Sequence, residues 1–174
     1  CDWSSDVCSS DLECGCNVVV NYSRSKTEAE ETADECRQAG ADVLLLAGDV
    51  SKDEDCRAMA KAALNKWKRI DVLVNSAGRT KAATPGDYES LSAQDFHDVY
   101  AVNVIGAYQM IRAVVPAMKA AGNGAIVSVS ALAALTGEGS SIAYAASKGA
   151  LNSMTISFAR QLAPHIRVNA VCPG

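Results

Sequence analysis

The sequence predicts an α/β domain built on a parallel sheet with helices covering both faces, and three observations predict it. Short apolar runs recur at Val18–Tyr22, Asp42–Ala47, Ile70–Val74, Gly124–Ser130 and Ile166–Val171. Stretches of helical length separate them, the spacing of strand–helix crossovers rather than hairpins. Polar clusters of small residues follow the runs at Tyr22–Arg24, Gly48–Val50, Asn75–Gly78, Ser130–Ala131 and Pro173–Gly174. Those are the carboxyl ends of parallel strands, where such sheets bind ligands, and five clusters in series point to a cofactor groove.

In chain order, Glu13–Asn17 reads as the tail of a helix with Gly15 as its left-handed stop. After the strand Val18–Tyr22, Ser25 and Glu28 have capping-box spacing for a helix to Ala39, which Gly40 ends, with Ala29, Ala33 and Cys36 on one face. Ser51 and Glu54 repeat that spacing before a helix to about Trp67. Arg79–Leu91 is polar and turn-rich, a surface loop. Ser92 opens a long helix through Ala121, with a bend expected near Pro116. Ser141–Leu162 is a helix stopped ahead of Pro164. No internal repeat or low-complexity segment is present.

The 174 residues are 49% apolar but only 5% aromatic, so the core is expected to be aliphatic and alanine-rich. Net charge is −4, which gives no basic footprint for nucleic acid. No run approaches the ~18 apolar residues of a membrane span. Seven cysteines occur without a CxxC pair, and Cys14-x-Cys16 with only two histidines, His97 and His165, makes no zinc set. Reduced thiols and a cytoplasmic protein without a metal are therefore expected.

Tyr144 and Lys148 stand four apart on the helix that follows the fourth strand, hence on one face of it. A free tyrosine has a pKa of about 10, and an adjacent ammonium favours the phenolate. Such a pair suits general acid–base work on a carbonyl or alcohol near neutral pH.

Asn75-Ser76-Ala77-Gly78, Tyr144–Lys148 as Y-x-x-x-K, and Ile166–Gly174 as a strand ending in P-G follow one another at separations that resemble the short-chain dehydrogenase/reductase family. The size and motif type are similar to those of the 3-oxoacyl-carrier-protein reductases, over Glu13–Gly174. The resemblance implies a doubly wound Rossmann-like sheet and hydride transfer between a nicotinamide cofactor and a carbonyl/secondary-alcohol pair. It makes Tyr144 the proton donor in reduction and the base in oxidation. It makes Lys148 the residue that lowers the Tyr144 pKa and bonds the nicotinamide ribose, and Asn103 the holder of a water for proton relay. Pro173 and Gly174 would shape the nicotinamide pocket. Asp49, with Val50, would meet the adenine, and Asn75, Ala77 and Gly78 would form the floor under the adenosine. At the end of the strand Val18–Tyr22, where NAD-selective folds carry an acid, this chain has Ser23 and Arg24. A hydroxyl and a guanidinium suit a 2′-phosphate, so NADP is expected. Alanine-rich helix faces would pack in a homodimer or homotetramer, and no membrane partner is expected.

Two departures from the pattern matter. The family's glycine-rich turn, T-G-x-x-x-G-x-G, is absent with its strand. In its place stands Cys1–Leu12, of which Asp2–Leu12 matches, codon for codon, the in-frame translation of a common synthetic sequencing adaptor. This segment is expected to be a read-assembly product outside the fold; intact genomic codons there would refute that. The chain is accordingly expected to be a Rossmann domain truncated at both ends, of low stability and weak cofactor affinity as it stands. Second, thirteen residues before Tyr144, where the family keeps a catalytic serine, this sequence has Ala131. Neighbouring Ser130 could replace it only through a bulge or strand end, because alternate strand residues face opposite sides. A non-catalytic, nucleotide-binding relative is therefore the alternative expectation.

Overall fold

The computed structural model describes residues 15–84 and 86–174. The expected adaptor-derived segment, and Glu13 and Cys14 of the expected first helix tail, lie outside the described residues. Among the described residues, strands and α-helices follow in the order β1 (Val18–Tyr22), α1 (Lys26–Gln38), β2 (Val43–Ala47), α2 (Asp53–Trp67), β3 (Val72–Asn75), α3 (Ala93–Tyr100), α4 (Ala107–Ala121), β4 (Gly124–Val129), α5 (Ala133–Thr136), α6 (Ile142–Leu162) and β5 (Ile166–Val171). Every strand pair is parallel, as the alternation predicts. Val18 to Tyr22 stand opposite Val43 to Ala47, Val72 to Asn75 opposite Ala125 to Ser128, and Gly124 to Val129 opposite Ile166 to Val171. The strands form two sheets, β1-β2 and β3-β4-β5, rather than one continuous sheet.

The strand and helix limits lie within about two residues of those read from the sequence, but the helix starts differ chemically. Ser92 forms a full capping box with Asp95, each side chain accepting the other residue's backbone N–H. Ser141 caps α6 by accepting the Tyr144 N–H at 3.2 Å. The two boxes expected at Ser25 and Ser51 do not form. Ser51 instead turns back, and its N–H and hydroxyl both donate to the Asp49 carboxylate at 2.9 and 2.7 Å. This local turn competes with the cap, so α2 starts only at Asp53. Gly15 and Gly40 do take the left-handed backbone expected of them, with φ of 75° and 92°.

The long helix predicted after Ser92 breaks earlier than Pro116, which lies inside α4. A π-helical turn, Ala101–Gly106, separates α3 from α4. Such turns concentrate at functional sites, and this one holds Asn103 with its side chain almost fully buried. Gly106 meets Val50 so closely that a Cβ there would lie 2.7 Å from Val50 Cγ2. By length and mean hydropathy (1.2), the Ala93–Ala121 stretch could cross a membrane. Here it is a core helix. Ile111, Val114 and Met118 pack against Leu73, Ile126, Leu162, Ile166 and Val168. That core holds β3, β4 and β5 in place and so fixes the strand ends where the site lies. Cys36 and Cys56 are buried within helices with free thiols.

Candidate active site

β4 is the middle strand of its sheet, and its buried residues alternate: Gly124, Ile126 and Ser128. The ladder continues one step past it, where Ser130 N–H donates to the Val171 carbonyl at 2.8 Å. The chain then crosses toward the end of β5, and Leu132 N–H donates to the Pro173 carbonyl at 2.7 Å. This bond brings the post-β4 turn and the Pro173-Gly174 segment together. They line a cavity of about 530 Å³ with Ala131, Thr136, Glu138 and Tyr144.

Tyr144 and Lys148 both come from the first two turns of α6. The Ser141 cap fixes where that helix begins, and therefore which way Tyr144 points. Lys148 Nζ lies 5.6 Å from the Tyr144 ring centroid, so the helical spacing does bring the pair together. Tyr144 is half-buried and lines the cavity, whereas Lys148 is 4% exposed. The ammonium donates to the Val129 carbonyl at 2.7 Å, across from the strand end.

This geometry corrects the expected electrostatics. Burial alone pushes the Tyr144 phenol above its ordinary value, and no cation offsets it. Burial also pulls the Lys148 ammonium below its ordinary value, with Cys172 opposing. The lysine lies over the ring rather than against the phenolic oxygen.

Asn103 is fixed by hydrogen bonds at both ends of its side-chain amide. Its Oδ1 accepts the Arg79 N–H at 2.7 Å, and its Nδ2 donates to the Arg79 carbonyl and to Ser147 Oγ, both at 2.9 Å. Ser147 Oγ in turn donates to the Tyr144 carbonyl at 2.7 Å. The side chain thus ties the loop after β3 to α6 directly beneath the Tyr144–Lys148 pair. That loop includes Gly78, where a methyl group would sit 3.9 Å from Lys148 Nζ. Sequence reading missed Ser147, although its place three residues after Tyr144 puts it on the same helix face.

Ser130 does not occupy the vacant serine position. β4 runs on without a bulge, Ser130 is 3% exposed, and its hydroxyl donates to the Lys148 carbonyl at 3.3 Å. Ser130 and Ala131 both line the cavity at that point, but the Ser130 hydroxyl is turned to the Lys148 carbonyl.

The remaining candidate residues gather along the carboxyl ends of β1, β2 and β3. Ser23 and Arg24 are exposed beside a larger cavity of about 1170 Å³, lined also by Val50, Asn75, Ala77 and Asn103. Asp49 is held below the usual carboxylate range, first by the Ser51 hydroxyl, then by the Ser51 N–H, and to a lesser degree by Lys52 and Arg24. One of its oxygens accepts both Ser51 donors, so Asp49 shapes this turn. Asn75 is buried and donates to Ser128 Oγ at 3.4 Å, which locks the end of β3 onto β4. Gln109 Nε2 donates to the Ser51 carbonyl at 3.2 Å and fastens the β2 exit to α4. Among the described residues no cluster of His, Cys, Asp and Glu could hold a metal ion. His97 and His165 are both exposed.

Parallel strands alternating with helices, with a cavity against Tyr144 at the end of β4, place the protein in the doubly wound α/β class. The family is specified by direct comparison: the short chain dehydrogenase model matches residues 5–174, and the chain belongs to that family. A relative from Streptomyces violaceoruber, "Granaticin polyketide synthase putative ketoacyl reductase 2", is 39% identical over 160 residues, 92% of this chain and 63% of the relative. The 3-oxoacyl-acyl-carrier-protein reductase FabG of Staphylococcus epidermidis is 33% identical over 161 residues, 92% of this chain and 65% of that protein. The chain therefore spans a little under two thirds of the length of these relatives. A crystal structure of a "putative short-chain dehydrogenase/reductase" from Burkholderia xenovorans superposes with a TM-score of 0.94 at 43% identity, covering 98% of this chain and 71% of that one.

Proposed function

We propose that the protein, at the full length of its relatives, is an NADP-dependent oxidoreductase that moves a hydride between the nicotinamide and a carbonyl/secondary-alcohol pair. A 3-oxoacyl thioester is the leading substrate class. The observation that carries this reading is Tyr144 at the wall of the 530 Å³ cavity with the Lys148 ammonium 5.6 Å from its ring. The names of the ketoacyl reductase relatives supply the substrate class.

The residues on the strand ends fit a dinucleotide in part. Ser23 and Arg24 offer a hydroxyl and a guanidinium to a ribose phosphate. Asp49 and Val50 lie where an adenine would be met, and Asn75, Ala77 and Gly78 run beneath. Tyr144, Lys148, Pro173 and Gly174 border the other end. Among the described residues, no glycine-rich turn lines the middle of the groove to cradle a pyrophosphate. Bound there, the cofactor supplies the hydride. Tyr144 Oη supplies the proton to the substrate oxygen, Lys148 sets the charge beneath it, and Asn103 keeps the loop and helix in register. Cytoplasmic location and homo-oligomeric assembly belong to the same proposal. Free thiols at Cys36, Cys56 and Cys172 support the first, and exposed Ile105, Tyr108 and Ile156 the second.

NADPH consumption by the dialysed full-length protein, assayed with a panel of 3-oxoacyl thioesters and simple ketones, tests the reading. Turnover supports the enzyme. Binding of NADPH without turnover supports a second reading, a non-catalytic nucleotide-binding relative, which Ala131 and the buried Ser130 favour. Cofactor choice has its own test. Arg24→Asp is expected to raise the Michaelis constant for NADPH far more than for NADH, since the exposed guanidinium would lose its charge-assisted bonds to the 2′-phosphate. Equal effects on both cofactors would refute the NADP assignment.

A further inference from the structure

The Tyr144 side chain is aimed by its backbone. Among the described residues no group hydrogen-bonds its phenolic oxygen, and the Lys148 ammonium lies 5.6 Å from the ring centroid, not at the hydroxyl. What remains to direct the phenol is the packing on its ring and the anchoring of its own N–H and C=O. Gly139 supplies part of the packing: a methyl group there would sit 3.6 Å from Tyr144 Cδ1.

Both backbone groups are anchored, and both anchors trace to the loop after β3. The Tyr144 N–H donates to Ser141 Oγ at 3.2 Å. Adjacent Ser140 is held by that loop, its carbonyl accepting the Ala83 N–H at 2.9 Å and its hydroxyl bonded to the Thr80 hydroxyl. On the other side, the Tyr144 carbonyl accepts the Ser147 hydroxyl at 2.7 Å. Ser147 Oγ accepts from Asn103 Nδ2 at 2.9 Å, and Asn103 clasps the Arg79 N–H and C=O. A serine that bonds back along its own helix is a local feature that slightly bends it. This one differs because its oxygen also reaches a residue 44 positions away. Ser147 is fully buried and Asn103 is 1% exposed. Both hydrogens of Asn103 Nδ2 are used, so loss of the Ser147 hydroxyl leaves a buried donor without its partner.

We propose that Ser147 is a positioning residue for the proton donor. Its hydroxyl carries the position of the Arg79 loop, through Asn103, to the Tyr144 carbonyl, and so fixes where the phenol stands at the wall of the 530 Å³ cavity. The same loop begins at Asn75–Gly78, so these bonds keep the donor in register with the proposed cofactor floor. The inference rests on the reading of Tyr144 as proton donor, and one arm of its test needs no turnover.

Ser147→Ala and Ser147→Cys, in the protein extended to the length of its relatives, test this below their melting temperatures. Each is expected to lower kcat for ketone reduction about 10–10²-fold, the cost of misplacing a catalytic group by about an ångström. The Michaelis constant for NADPH should stay within about threefold of the parent value. Ser147→Cys keeps the volume and bonds only weakly, so its loss reports the hydrogen bond and not a void. Ser147→Thr, which keeps the hydroxyl, is expected to restore turnover; where its added methyl does not fit, Ser147→Cys decides. A carbon-13 label at tyrosine Cζ supplies the arm without turnover. The Tyr144 resonance, assigned through Tyr144→Phe, should move in Ser147→Ala and Ser147→Cys while those of Tyr22 and Tyr88 stay. Parent-like kcat in Ser147→Cys, an unmoved Tyr144 resonance, or a Michaelis constant that rises as far as kcat falls would each overturn the inference. A moved resonance in a protein whose parent turns over no ketone would uphold the positioning and remove the reduction reading instead.

Discussion

Tyr144→Phe, in the protein extended to the length of its relatives, is expected to lower ketone reduction by about 10²–10⁴-fold, the usual contribution of a positioned general acid. The ring stays and the cavity wall keeps its shape, so NADPH affinity should change far less than turnover. The pH dependence follows from the direction of the phenol's shift. Burial holds the Tyr144 pKa above its ordinary value, so the protonated donor persists through neutral pH and reduction should fall only as the pH passes above about 10. Oxidation of the alcohol needs the phenolate and should rise over the same range. The Lys148 ammonium, depressed by its burial, is lost at lower pH than a free lysine, so a profile sensitive to that charge should break below the ordinary lysine range. Steady-state rates in both directions against pH check this. Unchanged turnover in Tyr144→Phe would remove the residue from the chemistry, and a reduction rate that already falls near neutrality would mean the phenol is primed after all.

Ala131→Ser is expected to increase ketone turnover by about 10²–10³-fold, or about 3–4 kcal/mol, the worth of one donor to a developing oxyanion. The gain is expected because the two adjacent positions are unequal. Both residues line the cavity, but the Ser130 hydroxyl is committed to the Lys148 carbonyl. Ser130→Ala should therefore leave turnover little changed and cost about 1 kcal/mol of stability for the lost hydrogen bond. kcat for the single and double variants, with thermal melts alongside, separates the roles. No gain in Ala131→Ser together with a large loss in Ser130→Ala would mean that Ser130 reaches the substrate through a backbone shift.

The strands, their parallel order and the Tyr144–Lys148 face were legible because each is written in local periodicity. A run such as Val18–Val20 has nowhere to go but a buried strand, and four residues on a helix return to the same side whatever surrounds them. The short helix Ala133–Thr136 was not legible, since four residues carry no period. The caps at Ser25 and Ser51 were misread because a serine's choice between capping a helix and turning back to a carboxylate depends on which partner lies nearer in space. Here Asp49 wins Ser51.

By itself, then, the sequence determined the class of fold and which residues share a helix face. Tertiary structure decided what those residues touch: Lys148 bonds Val129, Asn103 bonds Arg79 and Ser147, and β1-β2 stands as a sheet apart from β3-β4-β5. Those outcomes depend on contacts between residues 19 to 24 and more positions apart. Hydrogen-bond partners and burial at that range are set by how the helices pack on the sheet, which no local pattern encodes.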